Sequence, residues 1–76
     1  MQGKENPLVS IIVITYNSAK YVLETLESAR YQTYQNIELI VSDDCSVDNT
    51  VEICNNWIKK NSNRFARVEL ITVNKN

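Results

Sequence analysis

The chain has 76 residues, fewer than the roughly 100–150 of a typical domain, so it forms one domain at most. Its 43% hydrophobic and 22% charged residues are ordinary globular usage, and a net charge of −1 argues against a non-specific nucleic-acid binder. The absence of histidine excludes His-based triads, His proton shuttles and most zinc sites, and a single glycine and a single proline leave no Gly-rich phosphate loop.

Residues 1–6 are polar and read, with Pro7, as a flexible leader over 1–7. Residues 8–15 (LVSIIVIT) are apolar and β-branched almost throughout. They do not alternate, so they read as a strand buried on both faces. Asn17 and Ser18 are helix-start residues. Val22, Leu26 and Ala29 then recur at i, i+4 and i+7, with Leu23 widening the stripe, which places a helix at about 18–31.

After a polar link at 33–36, residues 37–43 read as a second strand. Residues 43–49 are the most polar stretch, with Ser46 as a candidate helix N-cap. Val51, Cys54 and Ile58 form the apolar stripe of a second helix at about 47–60, with Ile53 and Trp57 beside it. Asp48 and Glu52 near its start and Lys59 and Lys60 near its end suit the helix dipole. Residues 61–66 read as a loop and 68–73 (VELITV) as a third strand. Arg64 and Arg67, like the two lysines, read as solvated surface.

Strand, helix, strand, helix, strand at these lengths predicts an α/β fold with a parallel sheet and right-handed crossovers. Ligands of such sheets bind outside the carboxyl ends of the strands. That rule selects Thr15, Tyr16 and Asn17 after the first strand, and Asp43 and Asp44 after the second. Adjacent strand-end residues point to opposite faces, so the two acids do not share one ligand. One can face a crevice while the other orders the turn. A carboxylate beside an aromatic ring suits a heterocycle with N–H donors. The competing reading is an Asp-, Ser- and Asn-rich turn that caps the second helix. Two neighbouring acids without a third ligand make a poor cage for a divalent metal.

Cys45 and Cys54 lack C-x-x-C spacing and read as reduced thiols, the second packed with Trp57 between helix and sheet. No apolar run approaches the ~18–20 residues of a membrane span, and the start of the chain has no apolar core of a signal peptide. The expected location is the cytoplasm, or the cytoplasmic face of the membrane.

V-S-I-I-V-I-T-Y-N (9–17) resembles the first strand and loop of family 2 glycosyltransferases with the GT-A fold. Y-V-L-E-T-L-E-S-A-R-Y-Q-T-Y (21–34) resembles that family's first helix, and I-E-L-I-V-S-D-D-C-S-V-D-N-T (37–50) its second strand and D-D-x-S-x-D-x-T turn. The likeness spans about residues 8–60, with the motifs in order and correctly spaced. It implies that residues 8–76 are the nucleotide-binding βαβαβ half of a three-layer, Rossmann-like GT-A domain. Thr15, Tyr16 and Asn17 would lie along the nucleoside of a sugar donor, the Tyr16 ring over the base. Asp44 would accept the imide N–H of uracil, and Asp43 would support the turn. UDP-linked sugars are the favoured donors.

Cys45 departs from the family, which often has glycine there, and an adjusted turn is expected. The family's metal-binding D-x-D, its catalytic base and its acceptor site lie further along than these residues reach. The implied reaction is inverting transfer of a sugar to a hydroxyl. Mg²⁺ or Mn²⁺ is expected in a full-length enzyme, and the 76 residues alone are expected to be inactive. A later strand flanks the first in the whole fold; without it the first strand becomes an edge open to self-association. A stand-alone nucleotide-binding module is the alternative. A response-regulator-like domain would need its acidic pair after the first strand, and a dinucleotide-binding domain a Gly-rich turn at 15–18.

Overall fold

The computed structural model describes residues 6–73. Residues 1–5 of the expected leader, and Asn74 onward, lie outside the described residues. The order is β1 (Val9–Thr15), α1 (Val22–Arg30), β2 (Ile37–Asp44), α2 (Thr50–Asn61), a 3-10 turn (Ser62–Arg64) and β3 (Arg67–Val73). The sheet is parallel throughout, with β2 between β1 and β3.

This order fixes where the helices go. Each connection steps one strand further in the same direction, and right-handed crossovers then place both helices on the same face of the sheet. Pairing is in register along that face: Ile11, Leu39 and Val68 align, as do Val13, Val41 and Leu70. Against them pack Val22, Leu26 and Ala29 of α1, Cys54 and Trp57 of α2, and Phe65. Leu26, Leu39 and Val41 are fully buried, each contributing about 1.5–3 kcal/mol. The Trp57 indole N–H donates to Glu27 Oε2 at 2.7 Å, tying α2 to α1. That bond, with the Arg30 guanidinium 2.9 Å away, holds the Glu27 carboxyl below its ordinary value.

The structure thus contains two of the three layers of the expected architecture. The opposite face of the sheet has no described cover, and this corrects the reading of β1 as buried on both sides. Val13 and Thr15 face the helices and are buried, whereas Ile12 and Ile14 are 62% and 76% exposed on the other face. Leu23 is also half exposed, beside a groove lined by Ile53, Asn56, Trp57 and Lys60.

Both helices begin later than the expected starts at 18 and 47, at Val22 and Thr50, close to where each apolar stripe begins. The amides of residues 17–19 donate to side chains of the facing loop and the Val47 amide donates to Asn17, as described below, while the Ser18 carbonyl already accepts from the amides of Tyr21 and Val22 ahead of α1. Ser46 is not the N-cap of α2; Asn49 holds that position without a side-chain cap bond. Arg64 is not a solvated surface residue. Its guanidinium donates to the carbonyls of Arg30, Gln32 and Tyr34 at 2.7–3.0 Å. A fixed cation thereby satisfies carbonyls at and beyond the end of α1. Arg67 does lie on the surface, paired with Glu38 and Glu69.

Candidate functional site

The carboxyl ends of β1 and β2 lie side by side, with Thr15 paired to Asp43. The Thr15 hydroxyl donates to Asp43 Oδ1 at 2.6 Å, and the side chain is 2% exposed. Asp43, 1% exposed, accepts from the Ser46 hydroxyl on the same oxygen at 2.6 Å and from the Ser46 amide on Oδ2 at 2.8 Å. Burial pushes the Asp43 carboxyl up, but the Ser46 hydroxyl, the Thr15 hydroxyl and the Ser46 amide outweigh it and bring it below the ordinary carboxylate value. Asp43 is therefore a charged anchor of the turn.

From that anchor the contacts run across to the first loop. The Asn17 amide donates to Ser46 Oγ at 2.8 Å, and Asn17 Oδ1 accepts from the Val47 amide at 2.9 Å. The Ser18 amide donates to Thr50 Oγ1 at 2.8 Å, and the Ala19 amide to Asp48 Oδ2 at 3.2 Å. Asp48 Oδ1 accepts in turn from the amide and hydroxyl of Thr50. The Thr50 hydroxyl leads the contacts that lower the Asp48 carboxyl. Ser46, Asp48 and Thr50 thus form a clamp. The spacing S-x-D-x-T in the sequence marks it: polar residues at every second position.

Two residues of these loops have left-handed backbones, Asn17 (φ 47°) and Cys45 (φ 58°). Asparagine tolerates this region; cysteine does so at a cost that glycine lacks. Glycine, the residue expected at the Cys45 position from the resemblance, would adopt this conformation without that cost.

The five residues singled out in the sequence meet at this edge, but they face differently. Thr15 and Asp43 turn inward, and Asn17 bridges the loops. Tyr16 is 61% exposed. Asp44 is half-buried and, by strand alternation, lies on the opposite face from Asp43. Tyr16 and Asp44 are the residues that directly follow the last β1–β2 partners, Thr15 and Asp43.

The family model described as glycosyl transferase family 2 matches residues 10–76. The chain belongs to glycosyltransferase family 2. The glycosyltransferase GlyG of Streptococcus pneumoniae is 46% identical over 55 residues, covering 72% of this chain and 18% of the relative. The putative glycosyltransferase EpsH of Bacillus subtilis is 43% identical over 61 residues, 80% of this chain and 17% of the relative. An Escherichia coli relative, UDP-Glc:alpha-D-GlcNAc-diphosphoundecaprenol beta-1,3-glucosyltransferase WfaP, is 52% identical over 48 residues, 63% of this chain and 19% of the relative. The matched stretch is thus under a fifth of the length of each of these glycosyltransferases.

Carboxylates at the end of a sheet are candidate ligands of a divalent cation. The described part of this family 2 chain does not fit one. No three His, Cys, Asp or Glu side chains gather there to hold a metal ion. Both Asp43 oxygens are already engaged, by Thr15 of β1 and by Ser46 of the turn. No helix among the described residues is long and apolar enough to cross a membrane.

Proposed function

We propose that this chain is the nucleoside-gripping part of a glycosyltransferase that moves a sugar from a UDP-linked donor to a hydroxyl acceptor with inversion. The observation that carries the reading is that exposed Tyr16 and half-buried Asp44 directly follow the paired residues Thr15 and Asp43, at the carboxyl ends of adjacent parallel strands, the usual ligand crevice of such sheets. The Tyr16 ring covers one face of the base, and an Asp44 carboxylate oxygen accepts the imide N–H of uracil. WfaP, whose name gives UDP-Glc as its donor, supports the uridine preference by similarity. The 76 residues by themselves supply this grip and no turnover; Mg²⁺ or Mn²⁺, the base and the acceptor site belong to a full-length enzyme. Its place is the cytoplasm or the cytoplasmic face of the membrane.

Calorimetric titration with UDP and CDP tests the nucleoside assignment, since cytosine lacks the imide N–H at neutral pH. Tighter binding of UDP is the expected result. Equal affinities contradict it, as do equal affinities for UDP in the native chain and in Asp44→Ala. Release of sugar from a labelled UDP-sugar onto any hydroxyl by the 76 residues alone contradicts the claim of inactivity.

The proposal includes self-association through β1. This strand pairs with β2 and with no other described strand. Its sequence, VSIIVIT, carries no charge and no proline to oppose pairing with a second copy.

A further inference from the structure

We propose that Asn17 is a positioning residue of the crevice: it locks the loop bearing Tyr16 onto the loop bearing Asp44, and so fixes the gap a nucleobase enters. The inference rests on the uridine-binding reading above and assigns Asn17 a different task from touching the nucleotide.

Asn17 follows Tyr16 directly, and its two bonds go to Ser46 and Val47, two and three residues past Asp44. Its amide N–H ends on Ser46 Oγ, which itself donates to buried Asp43. One side of the clamp is therefore fixed through Asp43 to the sheet. Its side-chain oxygen takes the Val47 amide, which precedes α2 and would otherwise lack a helical acceptor. A left-handed backbone at Asn17 is what lets amide and side chain both reach the second loop. Asparagine meets this demand better than most residues: it tolerates positive φ and carries a short side-chain acceptor.

Fixing the two loops in advance removes ordering that a ligand would otherwise have to supply, so the lock should act on affinity. It also predicts which substitutions matter. Asn17→Gly keeps the backbone freedom and deletes the acceptor. Asn17→Asp keeps both. Ser46→Ala deletes the link to Asp43 by a separate route.

The experiment is NMR on the 76-residue chain and these three variants, reading amide exchange at Val47, order at Tyr16 and Asp44, and uridine affinity. Uncharged uridine avoids repulsion of a diphosphate by the added carboxylate of Asn17→Asp. For Asn17→Gly the expected result is faster Val47 exchange, lower order at Tyr16 and Asp44, and uridine binding weakened about tenfold. Asn17→Asp is expected to restore all three, and Ser46→Ala to repeat the loss. A native chain that ignores uridine overturns the nucleoside reading. The lock then stands or falls on exchange and order alone. Native-like exchange, order and affinity in Asn17→Gly overturn the lock while leaving the nucleoside reading in place. So does a loss that Asn17→Asp fails to restore.

Discussion

The Thr15 hydroxyl and Asp43 Oδ1 are hydrogen-bonded at 2.6 Å where β1 and β2 end, and both side chains are almost completely buried. The contact joins the two strands at the point where their loops diverge. Asp43 also takes two bonds from Ser46, so one carboxylate organises strand ends and turn together.

Asp43→Ala leaves the Thr15 hydroxyl and both Ser46 donors without their acceptor. Unsatisfied buried groups cost about 1–3 kcal/mol each, and partial hydration of the turn reduces the sum to a loss of about 2–4 kcal/mol. Small domains are stable by only about 5 kcal/mol or little more, so the variant should retain about 1–3 kcal/mol and unfold at a much lower urea concentration. Urea unfolding followed by circular dichroism reads the change; a midpoint equal to the native one contradicts the anchor role.

The Asp43 and Asp48 carboxyls both lie below their ordinary values in the folded chain. The sign follows: a lowered folded pKa gives stability that is full above the unfolded value of about 3.9 and is lost as pH falls through the folded value. Thermal midpoints should be flat from pH 7 to about 5 as far as these two groups are concerned, and fall below about 4. Asp43→Asn should flatten part of the acid slope. An unaltered slope in that variant contradicts the assignment.

Much of this was legible in the sequence. Val22, Leu26 and Ala29 announced their helix face, and β2 is buried at every second residue, Ile37, Leu39, Val41 and Asp43. Thr15, Tyr16, Asn17, Asp43 and Asp44 were placed at the sheet edge by strand order alone. Helix starts were less legible, because Ser46, Asp48 and Thr50 serve an inter-loop clamp that no local pattern of capping reveals. The half-exposed state of β1 was hidden for a different reason. Its sequence is apolar on both faces, and only strand order shows that both helices fall on one of them. Arg64 was misread because its acceptors lie some thirty residues away in the chain.

Cys45 occupies a left-handed backbone conformation, φ 58°. Such a position costs a residue with a Cβ about 1–2 kcal/mol, while glycine's greater freedom when unfolded offsets part of that. Cys45→Gly should therefore raise stability by about 0.5–1 kcal/mol with nucleotide affinity unchanged. Urea midpoints check this, and a destabilised variant contradicts the strain argument.

Ile12 lies on the open face of β1 and is 62% exposed. Ile12→Lys should leave monomer stability within about 0.5 kcal/mol, as surface substitutions do. It should also reduce self-association, because a charge on an edge strand opposes pairing. Sedimentation at high concentration is the measurement. A native chain that stays monomeric contradicts edge pairing.

The central claim is that Tyr16 and Asp44 grip a uracil base. The most direct measurement is a titration of the ¹⁵N-labelled chain with UDP, beside Asp44→Ala. The account predicts saturable shifts centred on residues 15–17 and 43–46 in the native chain, absent from the variant, whose spectrum remains folded. Shifts that are absent in the native chain, or that persist unchanged in Asp44→Ala, would contradict it.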